Sequence, residues 1–139
     1  MTVLALDLGS KRIGVAVALP GTTLAMPLEP IVRTNLRNDL AALVALLTER
    51  ECRTVVIGDP LTLSGQRGPA AETADAFVAK LAAIWDGEIV RIDERLTTAQ
   101  STKTLLNADV SRAKRRNLVD GIAASLILEQ YLARQRRGG

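Results

Sequence analysis

The sequence predicts an α/β protein built on a mixed central sheet, starting with an antiparallel hairpin, continuing in parallel strands and flanked by helices. Three observations lead there. The first strand-like runs are joined by a tight turn, the later ones alternate with helical segments, and the apolar residues are almost all aliphatic. The chain has 139 residues, 47% of them hydrophobic, enough for one domain with a sizeable core. Phe77, Trp85 and Tyr131 are its only aromatic residues, so Ala, Leu, Ile and Val must fill that core. They also leave too few rings to stack single-stranded bases.

Taken in order, Val3–Leu8 and Ile13–Leu19 are apolar runs separated by Gly9-Ser10-Lys11-Arg12, the pattern of a β-hairpin. A short third strand is expected near Leu28–Arg33. Thr34 or Asn35 can cap a helix that carries Leu36, Leu40, Leu43, Val44 and Leu47 on one face. Thr54–Gly58 is a β-branched run that ends at Gly-Asp-Pro, as a buried strand does. Leu61–Pro69 is expected to be a loop, followed by a helix with Ala70, Ala74, Phe77, Val78 and Leu81 inward. Glu88–Asp93 returns to strand character. Thr97 or Thr98 can cap a further helix to about Asn107, and a last helix is expected over Asn117 to about Arg134 with a basic tail over 134–139.

Composition removes whole classes of chemistry. With no histidine, Ser-His-Asp and Cys-His catalysis, His-ligated zinc and the commonest general base are all excluded. Cys52 is the single cysteine, so no intrachain disulfide or thiolate zinc site can form. The sequence shows no export leader and no apolar run near the ~20 residues of a membrane helix. A cytoplasmic protein without a membrane partner is expected. The net charge of +3 is uneven: from Lys103 onward eight basic residues face three acidic ones, a candidate footprint for a polyanion.

Acidic residues stand out at three places. Asp7 lies among apolar neighbours in the first strand, where a carboxylate costs several kcal/mol of desolvation without a partner or metal. Bonding to the amides of the following turn is its structural alternative. Asp93 and Glu94 end the last strand, where open α/β sheets place their sites, although a salt bridge to Arg95 would also explain them. Asp120 sits among small residues of the final helix, where it either reaches inward or is an ordinary exposed residue. Converging carboxylates without histidine describe a site for a hard cation, Mg²⁺ or Mn²⁺. Such ions can activate water on a phosphodiester without a histidine base.

The segments Ala5-Leu6-Asp7-Leu8-Gly9-Ser10-Lys11-Arg12-Ile13-Gly14-Val15-Ala16, Val56-Ile57-Gly58-Asp59-Pro60-Leu61 with Ser64-Gly65, Asp93-Glu94-Arg95-Leu96-Thr97-Thr98 and Val119-Asp120-Gly121-Ile122-Ala123-Ala124 occur in that order. Together they resemble the YqgF/RuvX family of Holliday junction resolvases and pre-16S rRNA nucleases, across nearly the whole chain. The resemblance implies an RNase H-like fold and a catalytic carboxylate site for a divalent metal. It makes Asp7, Glu94 and Asp120 the ligands, with Asp93 a less certain neighbour. Glu94 is preferred for its longer arm, because Asp93 can face the opposite side of the sheet. Asp59 departs from the family pattern, which has an apolar or aromatic residue there; it either caps its loop or binds metal.

Ser10, Lys11 and Arg12 in the hairpin turn, Arg95, and the cluster Arg112, Lys114, Arg115 and Arg116 are candidate contacts for a nucleic-acid backbone. The expected partner is structured RNA, a 16S rRNA precursor processed at its 5′ end, or branched DNA. A resolvase cutting a symmetric junction would need a homodimer. Two rivals come from other classes. One is a non-catalytic rRNA-binding assembly factor. The other is a nucleotide-binding ATPase, because Asp-Leu-Gly-Ser before a hairpin also resembles the phosphate loop of the actin and sugar-kinase fold. Those proteins close two lobes on a nucleotide, and this chain has room for one.

Overall fold

The first strand, β1 (Thr2–Leu8), turns back at Gly9 to Lys11 into β2 (Arg12–Ala18), and the two pair antiparallel with Asp7 opposite Gly14. These coordinates are a computed structural model that describes residues 2–19, 21–22, 24–60, 66, 68–93 and 112–138, without the side chains of 112–120 and 136–138. At the turn the Gly9 N–H donates to the Arg12 carbonyl at 3.0 Å, and a Cβ on Gly9 would meet that oxygen at 2.5 Å. Only glycine fits so tight a reversal.

Next in sequence come β3 (Met26–Val32), α1 (Leu36–Glu49), β4 (Cys52–Asp59), α2 (Pro69–Ile84), β5 (Glu88–Asp93) and α3 (Arg112–Gly138). The sheet order is β3-β2-β1-β4-β5, so β1 is central. β2 and β3 pair antiparallel, while β1 with β4 and β4 with β5 pair parallel. The hairpin-then-parallel sheet expected from sequence is the one observed. Pro27 and Pro30 suit β3 because it is an edge strand, where a missing N–H breaks no central ladder.

The sheet has two unlike faces. Leu4, Leu6, Ile13, Val15, Val55 and Ile57 pack against Leu40, Leu43 and Leu47 of α1 and Phe77 and Leu81 of α2. On the other face Ala5, Ala16, Val56 and Ile92 pack against Ala124, Ile127, Leu128 and Tyr131 of α3. That last helix runs across β2, β1 and β3. Its Gly121 lies so near β3 that a Cβ would stand 2.9 Å from Pro27 Cβ.

Boundaries moved where local chemistry outweighed periodicity. Asn35 caps α1, its side chain accepting from the Asn38 N–H at 2.8 Å. Pro69, expected to close the loop, instead occupies the first turn of α2, where its lack of an N–H costs nothing. The final helix starts before Asn117 and continues past Arg134, so the basic end is helical to Gly138 rather than a tail. Ala113-Lys114-Arg115-Arg116 and Arg134-Gln135-Arg136-Arg137 are good helix formers, and no glycine or proline interrupts them before Gly138. The expected helix from Thr97 or Thr98 and most of the Leu61–Pro69 loop lie outside the described residues.

Candidate active site

Asp7 lies one residue before the end of the central strand, and side-chain alternation puts it on the face of Ala5, under α3. Its side chain is buried, with 3% exposure. Gly14, directly opposite on β2, contributes no side chain against it. A buried oxygen donor at the end of the central strand, facing a glycine, fits a hard divalent cation in its chemistry.

Asp120 belongs by its backbone to α3, one turn before Ala124, which packs against the same sheet face. Its side chain, like those of Arg112, Lys114, Arg115 and Arg116, lies outside the description, as do Glu94 and Arg95 entirely. Among the described residues no cluster of three or more acidic, cysteine or histidine side chains is able to hold a metal. Two of the three expected ligands are not in that set.

Asp93 and Asp59 are register partners at the ends of β5 and β4. Alternation from Ile89 and Ile57 sets both on the α1/α2 face, opposite Asp7. Arg91 organises that corner: one terminal nitrogen donates to Asp59 Oδ1 at 2.9 Å and the other to Asp75 Oδ1 at 3.0 Å. Asp59 is therefore an ion-pair partner tying β4 to β5.

The turn between β1 and β2 presents exposed Ser10 and Lys11, with Arg12 half-buried at the start of β2. Arg12 alternates with Gly14 and so shares the Asp7 face. Behind the turn stands a network that no sequence motif marks. Arg33 Nη1 donates to the Gly9 carbonyl at 2.9 Å, its Nε donates to Asp39 Oδ2 at 3.1 Å, and Asp39 Oδ1 accepts from the Thr34 N–H at 3.0 Å. The signal available in the sequence was an acid in an apolar-faced first helical turn, six residues after an arginine.

Elsewhere two groups are shifted by their surroundings. Burial pushes the Cys52 thiol up, against a smaller opposing effect of Arg50. Burial likewise pushes the Tyr131 phenol up, reinforced by Glu88 and opposed by a hydrogen bond with Gln135. Neither residue is at the Asp7 end of β1. Among the described residues no helix is long and apolar enough to cross a membrane.

With this geometry the chain can be set beside known proteins. A family model described as "RuvX: Holliday junction resolvase" matches residues 1–134. A Myxococcus xanthus protein named "Putative pre-16S rRNA nuclease" is 43% identical over 136 residues, which is 98% of this chain and 90% of the relative. A protein of the same name from Desulforudis audaxviator is 40% identical over 138 residues, covering 99% of this chain and 98% of its own. Among solved structures, Thermus thermophilus RuvC matches with a TM-score of 0.60 at 14% identity, over 99% of this chain and 97% of that one. RuvC of the same organism in complex with a Holliday junction substrate gives 0.61 at 14%, over 99% and 96%. At that identity the likeness establishes the fold, which is the RNase H-like architecture of RuvC.

Proposed function

The chain belongs to the RuvX family, described as Holliday junction resolvase, and from that premise we propose that it is a metal-dependent nuclease hydrolysing phosphodiester bonds in structured nucleic acid. Its substrate on this reading is a 16S rRNA precursor, processed at the 5′ end in the cytoplasm; relatives at about 40% identity or above carry the name "Putative pre-16S rRNA nuclease", which supports the precursor as substrate. The observation that carries the reading is Asp7: a buried carboxylate near the end of the central strand of an RNase H-like sheet.

Asp7, Glu94 and Asp120 would hold the Mg²⁺ or Mn²⁺. The alternation that turns Asp93 to the α1/α2 face favours Glu94 as the second ligand. A bound divalent ion would lower the pKa of an attacking water and offset charge growing on the phosphate oxygens. The protein's own part is positional. The Asp7 backbone is held opposite Gly14 of β2 and its side chain is buried, so little of its freedom remains to be lost on binding. Ser10, Lys11 and Arg12 take the phosphates beside the scissile bond. Arg95, Arg112, Lys114, Arg115 and Arg116 hold the backbone further out, without reading bases.

The family description favours a second reading, resolution of four-way DNA junctions, for which a homodimer would supply two sites. One assay separates the possibilities: purified protein with Mg²⁺ or Mn²⁺ on a 5′-extended pre-16S fragment, a four-way junction and plain duplex, beside Asp7→Asn. The expected result is metal-dependent cleavage of the precursor fragment, reduced on the order of 10²-fold or more in the variant. Equal cleavage by Asp7→Asn removes the metal site. Symmetric cutting of the junction alone selects the resolvase, and metal-independent binding without cleavage selects an assembly factor.

A further inference from the structure

We infer that Arg33 is the positioning residue of the substrate-facing turn: it fixes Ser10, Lys11 and Arg12 from behind without touching nucleic acid. The inference rests on the nuclease reading, which makes that turn a phosphate contact.

Arg33 grips the turn on both sides of Ser10. Its side chain donates to the Gly9 carbonyl at 2.9 Å, and its main-chain N–H donates to the Lys11 carbonyl at 2.9 Å. The same guanidinium is anchored twice more. Its Nε donates to the carboxylate of Asp39 at 3.1 Å, which ties it to α1, and its central carbon lies 5.8 Å from the centre of the Phe77 ring on α2. Arg33 thus joins the turn to both helices of one face. A cleft of about 150 Å³ between the turn and the start of α2 is lined by Leu8, Gly9, Ser10, Arg33, Ala70 and Thr73.

A direct contact between Arg33 and a phosphate is the competing explanation. Its charge is already matched by Asp39, whose side chain is 3% exposed, while the Arg33 side chain itself is only 18% exposed. Three simultaneous contacts in fixed directions require a planar fork, which a lysine ammonium lacks. The benefit lies in ordering: Ser10 and Lys11 are exposed, and an exposed turn loses conformational freedom when it closes on a ligand unless something already holds it.

The test uses the full chain as Arg33→Lys and Arg33→Met, each alone and combined with Lys11→Ala. Binding of a labelled pre-16S fragment and a labelled four-way junction is measured without divalent metal, and amide hydrogen exchange is followed at Gly9 and Arg33. Lys11→Ala alone is expected to weaken binding by about fivefold, and Arg33→Met by a similar factor, with little further loss in the double variant. Exchange at both amides should rise by about tenfold in Arg33→Met, with Arg33→Lys between it and wild type. If Arg33→Met refolds poorly, Arg33→Lys carries the same comparison. Additive losses, or weaker binding with unchanged exchange, would overturn the positioning role and leave the nuclease reading intact. Absence of binding by wild type to either probe would overturn both.

Discussion

Replacing Gly121 with alanine tests whether the close approach of α3 to the sheet sets the site. A Cβ there would stand 2.9 Å from Pro27 Cβ, and ordinary contact begins at 3.4 Å, so helix and strand must separate by about 0.5 Å. Overpacking of this kind costs about 1–3 kcal/mol, and alanine returns about 1 kcal/mol of helix propensity. The edge strand β3 can yield, so a net loss of about 1 kcal/mol is expected, or about 3–5 °C in Tm for a chain of this size. Function should suffer more. Asp120, a ligand in the proposed site, is the neighbouring residue on the helix, and displacing a catalytic group by a fraction of an ångström costs on the order of tenfold in rate. Steady-state cleavage of the pre-16S fragment, normalised to folded protein by calorimetry, measures the difference. A Gly121→Ala protein that melts lower but cleaves like wild type would refute the link between helix approach and site geometry. One that cleaves and melts like wild type would refute the clash itself.

Other outcomes follow from single features. Lys11→Ala should reduce the salt dependence of nucleic-acid binding by about one unit of slope in log K against log salt, measured by titration across salt concentrations. Glu51 has φ 54°, the left-handed region, in the connection from α1 to β4, so Glu51→Gly should raise stability by about 0.5–1 kcal/mol in urea denaturation. Alkaline stability follows from the Cys52 thiol and the Tyr131 phenol, which burial pushes above their ordinary values of 9.0 and 10.0. The folded state keeps both protonated after the unfolded chain has lost its protons. Their contribution is therefore complete below about pH 9 and lost as pH rises through the folded-state values. A Tm profile that falls from about pH 9 upward, and less steeply in Tyr131→Phe, is expected.

Sequence pattern carried most of the fold because each strand and helix has its own period and its own punctuation. The Gly9 turn, the Asn35 cap and the Pro69 start are local devices that single residues announce. Pattern failed at the ends of α3, where long basic residues continue the helix although no apolar stripe marks them. In the site, Asp7 was legible as a misfit, an acid in an apolar strand. The face on which Asp59 and Asp93 lie was harder to assign, because it depends on the strand register with β4 and β5. Arg33 and Asp39 were illegible for another reason: their partnership is tertiary, joining a strand end, a turn and two helices.

The two faces of the sheet also bear on why the proposed chemistry is assigned to the α3 side. Against α1 and α2 the layer is filled by Leu, Ile, Val and Phe, and helix and sheet are spaced by long side chains. Among the described residues of that face, Arg33 meets Asp39, and Arg91 meets Asp59 and Asp75. Against α3 half of the buried cluster is alanine, with Ala5, Ala16, Ala18 and Ala124 buried beside Val56, Ile92, Ile127 and Leu128, and glycine lies at the close approach to β3. Small residues let the two backbones approach until their own atoms make contact. An aspartate reaches only two bonds beyond its Cα before its carboxylate carbon, so acids on a strand and a helix share a ligand only across a thin layer. The alanine face is therefore a requirement of the proposed site. Enlarging it with Ala5→Leu should cost more in cleavage than its effect on folding accounts for.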